Sequence, residues 1–127
     1  MKKMTDKNDR ISFRPITLSD YQEFYQNQTP PVTVRGYSFF VDDKLVAIGG
    51  IRNEGGGYFI AFSDIKESAI VEKAAVWRNS LIVMRMIDDM HIPVFAIANP
   101  DLPTAPRFLT RLGFVEVRDG VYRREAR

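Results

Sequence analysis

The sequence has no cysteine and a single histidine, His91. Without cysteine there is no disulfide framework, no thiolate nucleophile and no thiolate metal ligand, and the composition suits a reducing compartment. With one imidazole, a zinc site is not expected and no metal is assigned. Long apolar runs are also missing. Nothing approaches the roughly 20 apolar residues of a membrane-spanning helix, and the first ten residues, MKKMTDKNDR, lack the apolar segment of an export signal. The expectation is a cytoplasmic protein with no membrane partner. An excess of one charge is lacking too: 18 Lys and Arg against 16 Asp and Glu leave +2. That is little field for a nucleic acid, which is not expected as a partner. The densest basic patch, Arg118, Arg123, Arg124 and Arg127, reads as a solvated edge and tail.

What remains is a chain of 127 residues, 45% hydrophobic, which suits one core rather than two. Residues 1–10 are polar and read as a flexible segment; residues 11–127 form one domain. ISFRPI at residues 11–16 alternates like a strand closed by Pro15. Thr17 and Asp20 announce a helix carrying Tyr21, Phe24 and Tyr25, which QNQTPP ends. Two strand-like runs at 35–41 and 44–51 are joined by Asp42 and Asp43, residues suited to a tight hairpin turn. The run NEGGG at 53–57 lacks the Lys-Ser/Thr ending of a phosphate loop and reads as another hairpin turn before a strand at 58–62.

Residues 66–90 are free of glycine and proline and predict a long helix. Ile70, Ala74, Trp77, Leu81 and Met84 make its apolar stripe, which Ala69, Val76, Val83 and Ile87 widen. VFAIA at 94–98 reads as a strand buried on both faces. Thr104 is placed as the cap of a short helix with Pro106 in its first turn, and Gly113 as its left-handed stop. A last hairpin turns at Asp119 and Gly120. Trp77, Leu81, Phe95, Phe108 and Phe114 are expected to be buried together. A strand, crossover helix and strand through residues 58–98 implies a parallel pair in an otherwise antiparallel sheet. The fold class is thus α/β in the broad sense (α+β): a mixed, mostly antiparallel sheet with a central parallel pair and flanking helices.

This order, with Ala105, Phe108 and the run Arg111, Leu112, Gly113, Phe114 after an apolar strand, resembles the GNAT superfamily of acyl-CoA N-acyltransferases. It is most similar to divergent GNAT-like proteins of tailed phages, which implies a GNAT-like fold and, if phage-encoded, a host cytoplasm. The resemblance implies acetyl-CoA as cosubstrate and transfer of its acetyl group to an amine. The pantetheine arm would pair with the backbone of Ala61, Phe62 and Ser63. The pyrophosphate would lie at the start of the long helix, near Lys66, Ser68 and Ala69, and Asn99 would be a further coenzyme contact. Two family features are absent. The segment SDIKESA at 63–69 has no glycine, and Leu109 stands where the family has a proton-donating tyrosine. Asp64 and Glu67 would oppose phosphate, with Asp64 or Ser68 alternatively capping the helix. Acyl transfer needs an unprotonated amine and an acid for the leaving thiolate, for which Glu54 is the candidate base and Tyr58 or Tyr122 the candidate acid. The alternative is a catalytically inactive GNAT-like module that binds a host or viral protein through the long helix, or through Tyr37, Phe39 and Phe40 if these face solvent. A homodimer is compatible with either reading.

Overall fold

A computed structural model describes residues 4–5, 11–66 and 73–127. Its strands are β1 (Met4–Thr5), β2 (Ile11–Pro15), β3 (Thr33–Val41), β4 (Lys44–Gly55), β5 (Tyr58–Ile65), β6 (Val94–Ile97), β7 (Val115–Arg118) and β8 (Val121–Arg124). The helices are α1 (Leu18–Phe24), α2 (Lys73–Met90) and α3 (Ala105–Arg111). The strands form one sheet in the order β1-β2-β3-β4-β5-β6-β8-β7. Every neighbouring pair is antiparallel except β5 with β6. The chain is therefore α+β, with the parallel pair at the position implied by the crossover.

Local chemistry explains the turns. Asp42 and Asp43 both take positive φ, 51° and 63°, as a two-residue hairpin joining right-twisted strands requires. Thr17 caps α1 in a reciprocal arrangement: its hydroxyl accepts from the Asp20 amide at 3.0 Å, and the Asp20 carboxylate accepts from the Thr17 amide at 3.2 Å. Gly113, at φ 98°, ends α3 and turns the chain toward β7. Thr104, by contrast, makes no capping hydrogen bond through its side chain, and α3 begins on the proline turn instead. Gly36 and Gly50 face each other across β3 and β4 so closely that a Cβ on Gly36 would meet the Gly49 carbonyl oxygen at 2.2 Å. A side chain on either would push these two strands apart.

The two faces of the sheet are covered differently. On one lie α2 and α3, where Val83, Met84, Met86 and Ile87 pack with Phe39, Ala47, Ile51, Val94, Ala96, Leu112, Phe114 and Tyr122. Trp77 meets Phe108 edge to face at 5.7 Å at the border of this core. On the other, α1 sets Phe24 and Tyr25 against Phe40, Leu45, Ile48 and Phe62. Two members of the expected cluster fall outside it. Leu81 is 46% exposed, because it lies on the solvent side of α2. Phe95 projects from the opposite face of the sheet to Val94 and Ala96, as strand alternation dictates, and packs on Tyr58 at 5.8 Å.

Other expectations change as well. Phe39 and Phe40 are buried and Tyr37 half-buried, so these three do not form a free binding surface. Arg124 is not a solvated tail residue but is 4% exposed, anchored between helices. The proposed start of the long helix, with Ser68, Ala69 and Ile70, lies outside the described residues, as does most of the 1–10 segment. Met4 and Thr5 of that segment pair with Phe13 and Ser12 of β2.

Candidate functional site

The parallel pair parts almost as soon as it forms. Ile60 opposite Phe95 is the one register pair between β5 and β6 among the described residues, although β5 continues to Ile65. Past Ile60, β5 is paired through Ala61, Phe62, Ser63, Asp64 and Ile65 with β4 alone. Among the described residues no strand is in register with its other edge past Ile60, and such an edge is where an extended ligand can add as a further strand. Ala61 and Phe62 are half-buried there and Ser63 is exposed.

On the α1 face, a transverse row crosses the sheet at the parting point: Val34, Arg52, Ile60, Phe95 and Arg123 stand in register on successive strands. Arg52 holds the Glu54 carboxylate at 3.2 Å. The Tyr58 ring lies against Phe95, over which Arg123 also extends at 5.7 Å. Glu54 at the end of β4 and Tyr58 at the start of β5, singled out from the sequence, thus lie toward the closed end of the gap, before Ile60. Tyr122 does not join them. It is buried in the α2-side core opposite Ala96, and burial first, then Glu116 and Asp119, raises its phenol above the ordinary value.

The other end of β5 holds a pair that the sequence did not announce. The hydroxyl of Tyr25, the residue that caps the C-terminal end of α1, donates to the Asp64 carboxylate. Burial first, and then Asp64, pushes the Tyr25 phenol well above its usual range, while Arg52 opposes the shift. Asp64 lies within β5, so it is a strand residue and not a helix cap. Lys66 follows; its amide donates to the Val46 carbonyl at 2.8 Å and its ammonium sits 5.7 Å from the Phe24 ring. From Tyr58 to Asp64 a strand advances about 20 Å, so those two groups cannot attend one reacting atom.

The remaining candidates are accounted for locally. Asn99 is exposed beyond β6, and its side-chain oxygen accepts from the Asp101 amide at 2.9 Å, an arrangement that fixes its own turn. Leu109 is half-buried against the main core. His91 is exposed at the end of α2, its Nδ1 2.6 Å from the Arg127 carbonyl oxygen. Among the described residues no group of three or more His, Cys, Asp or Glu side chains is arranged to hold a metal ion, and no helix is long and apolar enough to cross a membrane.

Compared with family models, curated proteins and solved structures, the chain matches none.

Proposed function

We propose that this protein is an N-acyltransferase of the GNAT type that takes acetyl-CoA along the open edge of β5. The observation that carries this reading is the parting of β5 and β6 after Ile60, which opens the edge of the segment Ala61, Phe62 and Ser63, where alternate residues turn their backbone groups away from β4, to an extended, amide-bearing arm. The residues present fit such an arm better than they fit its pyrophosphate. Lys66 supplies one cation near the end of the strand, while Asp64 opposes an anion, and no glycine lies between Ser63 and Ala69. Binding is therefore weaker than a glycine loop would give, because side chains keep the amides from close approach.

With the phosphates toward Lys66, the reactive end of the arm reaches the closed end of the gap, near Ile60 and Phe95. The bound thioester supplies an electrophilic carbonyl: a C–N bond forms to the amine, the C–S bond breaks, and the leaving thiolate takes up a proton. Glu54 is the base that accepts the proton of the amine, held in place by Arg52. Tyr58 is the acid on the same side of the sheet. Tyr122 is dropped from this role because it sits in the core behind the sheet.

Titration calorimetry with CoA tests the reading. Saturable binding is expected, weakened by Lys66→Glu; no heat and no thermal shift at millimolar CoA, with the protein folded, rejects it. The second reading, a binding module without catalysis, is favoured by one observation: Tyr58, Ile97, Val115 and Val117 are all exposed, and the strand pairing puts Tyr58, Ile97 and Val115 on the face that carries α1. A folded protein that ignores CoA would move the assignment there.

A further inference from the structure

A cleft of about 560 Å³ lies on the α1 side of the sheet, a volume within the range of small-molecule sites. Ile16, Leu18, Pro30, Pro31, Val32 and Val34 give it an apolar wall. Thr17, Tyr21, Thr29 and Thr33 add hydroxyls, of which those of Tyr21, Thr29 and Thr33 make no hydrogen bond to another described residue. Among the described residues no carboxylate, ammonium or guanidinium lines it. Its floor residue Val34 is in register with Arg52 and, one strand further, with Ile60. Two strand spacings, about 10 Å, therefore separate the cleft from the point where β5 and β6 part. Between them stands Arg52, which holds the carboxylate of Glu54, two residues further along β4, at 3.2 Å.

From this arrangement we infer that the cleft holds the acyl acceptor and selects a small monoamine with an uncharged, hydroxyl-bearing body. The amine role rests on the acyltransferase reading; the neutrality of the body rests on the lining alone. An ammonium leaving water needs a carboxylate or several acceptors to replace its hydration. Glu54, held by Arg52 between the cleft and the gap, provides that for one amino group: it takes a proton from the ammonium first, the neutral nitrogen then attacks the thioester, and the second N–H proton balances the one that Tyr58 gives to the leaving thiolate. A second cationic group on the same molecule would lie among prolines, valines and threonine hydroxyls, or beside the Arg52 guanidinium. Polyamines and aminoglycosides are thereby disfavoured. The hydroxyls suit a phenol, alcohol or amide, and the proline and tyrosine rings suit a flat apolar body.

Backbone-amide NMR of the full chain tests this, with tyramine as the neutral-bodied monoamine and spermidine as the polycation, both without CoA. Tyramine should give saturable shifts at residues 29–34 and Tyr21, and spermidine should give none there. Thr29→Asp, on an exposed loop, should narrow the preference about tenfold by favouring spermidine. Tyr21→Ala should weaken tyramine about tenfold; because Tyr21 also packs on Tyr25 at 4.6 Å, its melting point is measured alongside. Absence of tyramine shifts in the cleft, or equal binding of spermidine, overturns the inference. CoA calorimetry on the same sample reads the parent proposal separately. Tyramine in the cleft with no CoA binding keeps the neutral site and removes acyl transfer, whereas CoA binding with spermidine as the better acceptor removes this inference alone.

Discussion

Arg124, on the last strand, reaches behind the sheet to Asp88 on α2, its Nη1 2.6 Å from the carboxylate, while its Nε donates to the Leu112 carbonyl at 2.9 Å. One guanidinium thus ties α2, the end of α3 and β8 together, and it satisfies a carbonyl that the end of α3 leaves without a helical partner. Arg124→Ala should cost about 1 to 3 kcal/mol, the scale of leaving the buried Leu112 carbonyl without its donor. Asp88→Asn should cost less, since Asp88 is 38% exposed and the amide can still accept a hydrogen bond. Urea unfolding of both variants checks the order; equal, small losses would mean that the guanidinium is solvated in solution.

A second prediction concerns pH. Tyr25 is held protonated by burial and by its bond to Asp64, so its folded pKa lies above the unfolded value of 10.0. The stability this contributes is fully present below about pH 10 and is lost as pH rises further, because only the unfolded chain gains by ionising the phenol. The gap in unfolding free energy between wild type and Tyr25→Phe should therefore shrink from pH 9.5 toward pH 11, approximate values set by the tyrosine reference. A gap that stays constant over that interval would show that Tyr25 titrates normally.

A third follows from packing. Phe108 is half-buried, with its ring set edge to face against Trp77, so Phe108→Ala should fall below the roughly 3 to 5 kcal/mol of a fully buried phenylalanine. Leu81→Ala, on the exposed side of α2, should change stability by about 0.5 kcal/mol or less. Denaturation curves that ranked Leu81 above Phe108 would mean that α2 is rotated about its axis.

These cases show which parts of the molecule can be read from sequence. Thr17 with Asp20, the Asp42–Asp43 turn, Gly113 and the parallel strand pair are local or topological signals: a cap, a pair of positive-φ residues, a helix stop, a crossover. Each is decided within a few residues or by the order of elements. The inward side of a central strand is not. VFAIA is apolar throughout, so alternation alone could not say that Phe95 faces Tyr58 and Arg123 while Val94 and Ala96 face α2. Nor could spacing pair Tyr25 with Asp64, 39 residues apart, or distinguish Arg124 from its solvated neighbours. In the candidate site, the closeness of Glu54 and Tyr58 is legible because a short hairpin turn separates them. The burial of Tyr122 is not legible, because strand register, invisible in the sequence, turns it into the core.

The last prediction separates the two ends of β5. Under the acyltransferase proposal Glu54 serves the amine near Ile60, whereas Asp64 stands beside the phosphates and does no chemistry. Glu54→Gln should lower kcat/KM by about 10²- to 10⁴-fold, the span of a general base, with CoA affinity unchanged. Asp64→Asn should do the reverse: removing a negative charge near a bound polyanion should tighten CoA severalfold, since two unit charges a few ångströms apart at a protein surface interact by about 1 to 4 kcal/mol before screening. Its rate on a saturating amine should hold. Calorimetry for CoA and initial rates for acyl transfer read the two effects independently. A drop in rate with Asp64→Asn and none with Glu54→Gln would move the reacting carbonyl to the other end of the strand, next to Tyr25, and with it the direction in which the arm lies along β5.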